Sequence, residues 1–184
     1  MKVVFLDFDG VLNSHRFMLE ERLQGKSGVA GLDPKAVAHV NYICGKTDAV
    51  IVVSSSWRYG HKLGELKDML RAAGCTAVVR DTTPLPYEIA NGRLATAFAD
   101  QGLDLLEDEA KRVLIIAKGR GHEIDAWLRT WCEIEEIESF VVLDDDSDIA
   151  PHVDRHVKTS FSVGLTSEHV PMALEILSRP WVRT

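Results

Sequence analysis

The chain has 184 residues, 46% hydrophobic and 27% charged, a size and balance that suit one packed domain spanning residues 1–184. No apolar run approaches the length of about 18 residues needed to cross a bilayer, which excludes a membrane-spanning helix. A formal net charge of −7 argues against the broad basic face that duplex nucleic acid requires.

The first residues enter a strand directly, with no basic start or small-residue cleavage site of a leader. Cys44, Cys75 and Cys132 are scattered, odd in number and not in a metal-ligand spacing. Such cysteines are small apolar residues of a reducing compartment, so the chain is expected to be cytoplasmic. The seven histidines form no His-x-His or His-Glu-x-x-His pattern, and a zinc site is not expected.

Lys2 to Leu6 is a nearly all-apolar run of the kind buried on both sheet faces. Residues 13–32 are polar and carry Gly25, Gly28 and Gly31, which predicts a long loop or flap. Asp33-Pro34 opens a helix, with Asp33 as N-cap and Pro34 at the first helical position. Val37, Val40, Ile43 and Cys44 form its apolar face.

Ala49 to Val53 is a second buried strand, ended by Ser54-Ser55-Ser56-Trp57-Arg58. Leu63, Leu66, Met69 and Leu70 lie at helical spacing, and Gly74 stops that helix. Ala77 to Val79 and Val113 to Ala117 are expected strands, and Leu94 to Gly102 a short helix. His122 to Trp131 is a helix with Ile124, Trp127 and Leu128 inward. Phe140 to Leu143 is an apolar strand running into Asp144-Asp145-Asp146-Ser147-Asp148. His156 to Thr159 and Ser167 to Leu177 are the last strand and helix. Strands alternating with helices predict an α/β, three-layer, Rossmann-like fold with a central parallel sheet and at most a minimal cap.

In such a sheet, ligands bind beyond the carboxyl ends of the strands, and three polar clusters follow predicted strands here. Asp7 and Asp9, two residues apart, point the same way because strand side chains alternate. Two carboxylates that close call for a cation between them or a proton on one. Gly10 suits a tight turn that brings backbone close to a ligand, and an oxygen-ligated Mg²⁺ fits this arrangement. The serines suit phosphate, or a helix cap. Around these clusters Arg16, Arg22, Lys26, Arg58 and Lys62 form either a basic rim or an ordinary solvated surface. Trp57 is near enough to stack on a ring, whereas Trp127, Trp131 and Trp181 are core residues.

Asp7-Phe8-Asp9-Gly10-Val11-Leu12-Asn13 resembles the first motif of haloacid dehalogenase-type phosphatases. Ser54 resembles the second motif, and Asp144 and Asp145 the fourth. More narrowly, Ser55-Ser56-Trp57-Arg58, Arg120-Gly121-His122-Glu123-Ile124, the acidic run from Leu143 and Gly164-Leu165-Thr166 resemble small phosphatase domains grouped with RNA-repair enzymes. The phosphatase half of polynucleotide kinase-phosphatases is a more distant relative.

This resemblance implies that Asp7 is the nucleophile and Asp9 the general acid and base. It implies Mg²⁺ held by the Asp7 carboxylate, the Asp9 carbonyl and the Asp145 carboxylate, with Asp144 in the same acidic motif. Ser54, and Lys118 or Arg120, would hold the phosphoryl oxygens, with Gly10, Ser55 and Arg58 beside the substrate. Lys118 and Arg120 both fit the cation of the third motif, Lys118 slightly ahead as a compact point charge. Residues 87–117 resemble an insertion relative to the narrower group, and residues 13–32 a partial lid. The implied substrate is a phosphorylated small molecule, nucleotide or nucleic-acid end. The rival class is a phosphate-responsive regulatory module with little or no turnover, and the second carboxylate of Asp-x-Asp argues for turnover.

Overall fold

The structure, a computed structural model, describes residues 1–25, 31–89 and 119–182. At its centre is a parallel sheet of five strands: β1 (Lys2–Leu6), β2 (Val50–Val53), β3 (Val79–Thr82), β4 (Ser139–Asp144) and β5 (His156–Lys158). Their spatial order is β3-β2-β1-β4-β5. The connections therefore change direction between β1 and β4, a switch point where the carboxyl ends leave a crevice.

Alternation along β1 explains the layers. Val4 and Leu6 join a buried cluster with Val37, Val40 and Ile43 of α2 (Pro34–Thr47), Leu66 and Leu70 of α3 (Leu63–Ala72), and Val170 and Leu177 of the last helix, His169–Ser178. Val3 and Phe5 face the other way, onto Ile124, Trp127 and Leu128 of the helix Arg120–Trp131. The latter helix is α4 and the last helix α5. Phe5 meets Trp127 and Phe140 edge to face, with ring centroids 5.4 and 5.6 Å away. Each such fully buried large side chain contributes roughly 1.5–3 kcal/mol. The three-layer α/β architecture expected from the alternating pattern is the one observed.

Three local expectations change. Residues 15–23 are not loop but a helix, α1 (His15–Leu23), capped by Ser14 accepting from the Phe17 N–H. It has no buried residue, so it lacks the apolar period by which a helix is recognised. Its start is tied down by backbone bonds from His15 to Phe161 and from Arg16 to Ser162. The third strand lies at Val79–Thr82 rather than 77–79. Its polar residues reach α4 and the turn after it: Asp81 accepts from both Trp127 and Trp131, and Arg80 Nη2 pairs with Glu135. Helix α4 begins at Arg120, two residues earlier than its apolar pattern suggests. The strand and helix expected at 113–117 and 94–102 lie outside the described residues. Among the described residues, no helix is long and apolar enough to cross a membrane.

Candidate active site

Parallel pairing sets Leu6 of β1 level with Val53 of β2 and Leu143 of β4. The next residue of each strand, Asp7, Ser54 and Asp144, therefore arrives at one height. Two backbone bonds seal the seam: Asp7 N–H to the Leu143 carbonyl at 3.0 Å, and Ser54 N–H to the Leu6 carbonyl at 2.8 Å.

Asp7 is 6% exposed. Its Oδ1 accepts from the Phe8 N–H at 2.7 Å, and its Oδ2 lies 3.8 Å from Arg120 Nη2. Burial raises its pKa, opposed by the Arg120 charge and by hydrogen bonds from Ser55 and Phe8. Asp144 is fully buried; burial and the neighbouring Asp7 push it up to about 7, against the pull of Arg120. Burial also raises Asp145. One oxygen from each of Asp7, Asp144 and Asp145 lies within 4.8 Å of the others.

That group fits a hard divalent cation. Three clustered carboxylates, two of them buried, are costly without a counter-ion, and an all-oxygen donor set is what Mg²⁺ takes. Gly10, with φ of +69°, lets the Asp145 carboxyl come this close: a Cβ there would sit 2.1 Å from Asp145 Cγ. The Asp9 carboxylate is outside the three-oxygen group and is held by two other side chains. Trp57 Nε1 donates to its Oδ2 at 2.8 Å and Asn13 Nδ2 to its Oδ1 at 3.2 Å. The Gly10 carbonyl accepts from Thr159 Oγ1 at 2.6 Å, which fixes this turn to the end of β5.

Arg120, at the start of α4, is the cation the described residues place here. Besides Asp7, its guanidinium meets Asp144 and Glu123, each at 3.2 Å. These three carboxylates raise its pKa against the opposing effect of burial, so it stays charged. The helix start is aimed by Asp148, which accepts from the Arg120 and Gly121 backbone N–H groups. At Gly121 a Cβ would lie 2.0 Å from the Ala150 carbonyl oxygen, so only glycine lets α4 approach this closely. Lys118, placed slightly ahead of Arg120 from sequence, lies outside the described residues.

Two expected substrate contacts are buried. Arg58 is buried and bound inward: Nε to the Ser55 carbonyl, Nη1 to those of Thr83 and Pro84, Nη2 to Glu123 at 2.7 Å. It supports Arg120 through their shared partner, Glu123, instead of facing a ligand. Ser54 is 1% exposed, and its hydroxyl accepts from Thr83. Ser55 is the serine whose hydroxyl helps lower the Asp7 pKa against its burial. The suggested basic rim is correspondingly reduced: Arg58 is internal, Arg16 pairs with Glu20, and Lys26 is outside the described residues.

Asn13, Glu123 and Thr159 join the site with no role expected from sequence, and Trp57, expected to stack, meets it through its indole N–H. Glu123 lies in the quoted Arg120–Ile124 stretch and Trp57 beside the serines, so both carried a signal. Thr159 carried none, because its contact with Gly10 spans 149 residues.

A parallel sheet whose switch point gathers Asp-x-Asp, a serine cluster, an arginine and a second acidic run defines a haloacid dehalogenase-type domain. More particularly, residues 3–170 match the family described as the HAD domain in Swiss Army Knife RNA repair proteins, and the chain belongs to that family. Membership points to phosphatase chemistry in general terms. No curated protein and no solved structure gives a significant match.

Proposed function

We propose that the chain is a Mg²⁺-dependent phosphomonoesterase working through an aspartyl-phosphate on Asp7, with a phosphorylated nucleic-acid end or nucleotide as substrate. The observation that carries this reading is the Asp7 carboxylate, buried beside Arg120 and two further carboxylates at the sheet's switch point. The substrate class is supported by the RNA repair setting of the family.

Asp7 is aligned by the Phe8 N–H on one oxygen, which leaves the other to attack phosphorus. As the new oxygen–phosphorus bond forms, the bond to the leaving oxygen breaks. That oxygen takes a proton from the Asp9 carboxyl. Water then attacks the same phosphorus and gives a proton to Asp9, and the bond to Asp7 breaks, restoring the Asp7 carboxylate and the protonated Asp9 carboxyl. Arg120 offsets the charge gathering on the phosphoryl oxygens. Mg²⁺, held by Asp7, Asp144 and Asp145, supplies charge neutralisation there when bound.

The test is phosphate release from 3′- and 5′-phosphorylated oligonucleotides, mononucleotides and sugar phosphates, with Mg²⁺ or with EDTA, in wild type and Asp7→Asn. Mg²⁺-dependent release that falls by a factor on the order of 10⁴ in Asp7→Asn is expected. Wild-type turnover undiminished in the variant overturns the covalent route. No release from any substrate overturns the function.

A further inference from the structure

The Asp9 carboxylate is two residues from Asp7, yet it takes no part in the carboxylate group that suits a cation. A strand-end aspartate beside a divalent ion would ordinarily be drawn to it. What holds this one away is visible: Trp57 Nε1 donates to Oδ2 at 2.8 Å, and Asn13 Nδ2 donates to Oδ1.

We propose that Trp57 is a positioning residue for the proton-transfer step, its indole N–H fixing the Asp9 carboxyl toward the leaving group and out of the metal cluster. This rests on the phosphomonoesterase reading above.

The indole is itself locked. Its ring packs edge to face on Phe8, centroids 5.3 Å apart, and lies against His61 at 6.0 Å. Its backbone N–H donates to Ser55 Oγ, and His61 Nδ1 contacts its carbonyl oxygen at 3.1 Å. The residue thus links the serine turn after β2 to the Asp9 carboxylate. An indole N–H suits the task because it donates only and does not ionise at neutral pH. Asp9 therefore keeps a partner without gaining a competitor for the transferred proton. A side chain locked by packing holds a second one within the narrow geometry that proton transfer needs.

The experiment compares wild type, Trp57→Phe, Asp9→Asn and the double variant on p-nitrophenyl phosphate and on an alkyl phosphate such as a nucleoside monophosphate. Phenylalanine keeps a ring against Phe8 and removes only the donor. In Trp57→Phe, kcat on the alkyl phosphate should fall by roughly 10- to 100-fold, a share of what a general acid contributes. On p-nitrophenyl phosphate, whose leaving group needs no proton, the fall should stay within about threefold. Added to Asp9→Asn, Trp57→Phe should cost little more, because residues acting as one unit are not additive. Equal losses on the two substrates, or losses that simply multiply in the double variant, would overturn the proposal while leaving the function standing.

A second readout does not need turnover. The Trp57 indole N–H resonance, assigned by its disappearance in Trp57→Phe, should move upfield in Asp9→Asn as its acceptor loses charge. An unmoved resonance overturns the contact. A moved resonance in a wild type that hydrolyses neither phosphate overturns the phosphomonoesterase reading, and this proposal with it.

Discussion

Arg120 Nε lies 3.2 Å from Asp144 Oδ2, so the cation that faces Asp7 is anchored on the last residue of β4. The same guanidinium reaches Asp7 and Glu123. Its planar fork spreads over three carboxylates from one fixed plane, a geometry that a compact ammonium does not reproduce. Arg120→Lys should therefore lower kcat by roughly tenfold or more, and Arg120→Ala by roughly 10²–10³, the usual loss of a donor that stabilises developing charge. Steady-state rates at saturating Mg²⁺ decide this. A fully active Arg120→Ala would place the charge-balancing role outside the described residues, with Lys118 as the candidate.

Arg58 and Glu123 form a buried ion pair at 2.7 Å. Removing one member of such a pair leaves the other charged and poorly partnered, a loss of about 3–5 kcal/mol. Arg58→Ala should show that loss in urea unfolding, with phosphatase activity falling because Glu123, no longer held by Arg58, orients Arg120 less firmly. A substrate-contact role would instead raise KM with unchanged stability, and that result would restore the sequence-based expectation.

Asp145 and Asp146 test the register at the end of β4. Asp145 belongs to the three-carboxylate group, whereas Asp146 is exposed. Asp145→Ala should raise the Mg²⁺ concentration needed for half-maximal activity and recover at high Mg²⁺, while Asp146→Ala changes little. Gly10→Ala should resemble Asp145→Ala, because its Cβ would displace the Asp145 carboxyl group. A Mg²⁺ titration of the three variants is the measurement, and equal effects of Asp145→Ala and Asp146→Ala would refute the assignment.

The acidic cluster also links metal, protons and stability. Asp144 is pushed up from 3.8 to about 7 in the folded protein, so the folded state holds a proton there that the unfolded chain has lost. Its destabilising contribution is absent below about pH 4, grows as pH rises through that window, and is complete above pH 7. Metal-free protein should therefore melt higher at pH 5.5 than at pH 8 as far as this group decides it. Mg²⁺ needs ionised ligands and must displace the proton, so it should raise Tm more at pH 8 than at pH 5.5. Thermal melts with EDTA or Mg²⁺ at the two pH values check both signs, and an equal Mg²⁺ shift would exclude a titrating ligand.

The sequence by itself determined the sheet, the layers and the level at which the chemistry lies. Runs such as Val3–Leu6 and Phe140–Leu143 are apolar on every residue, which only a strand covered on both faces needs. Acidic residues directly after them fall at the strand ends by chain geometry alone. Tertiary structure decided what could not be written locally. Helix α1 buries nothing and so leaves no periodic trace, and Asp81 of the polar strand Val79–Thr82 is satisfied by tryptophans from 46 and 50 residues away. Arg58 reads as a surface cation until Glu123 and the carbonyls of Thr83 and Pro84 enclose it. Trp57 reads as a ring beside a site until its N–H meets Asp9, 48 residues earlier. Strand and layer follow from the polarity of neighbours in the chain. Partners of buried charges and donors follow from neighbours in space, and only the packed fold specifies those.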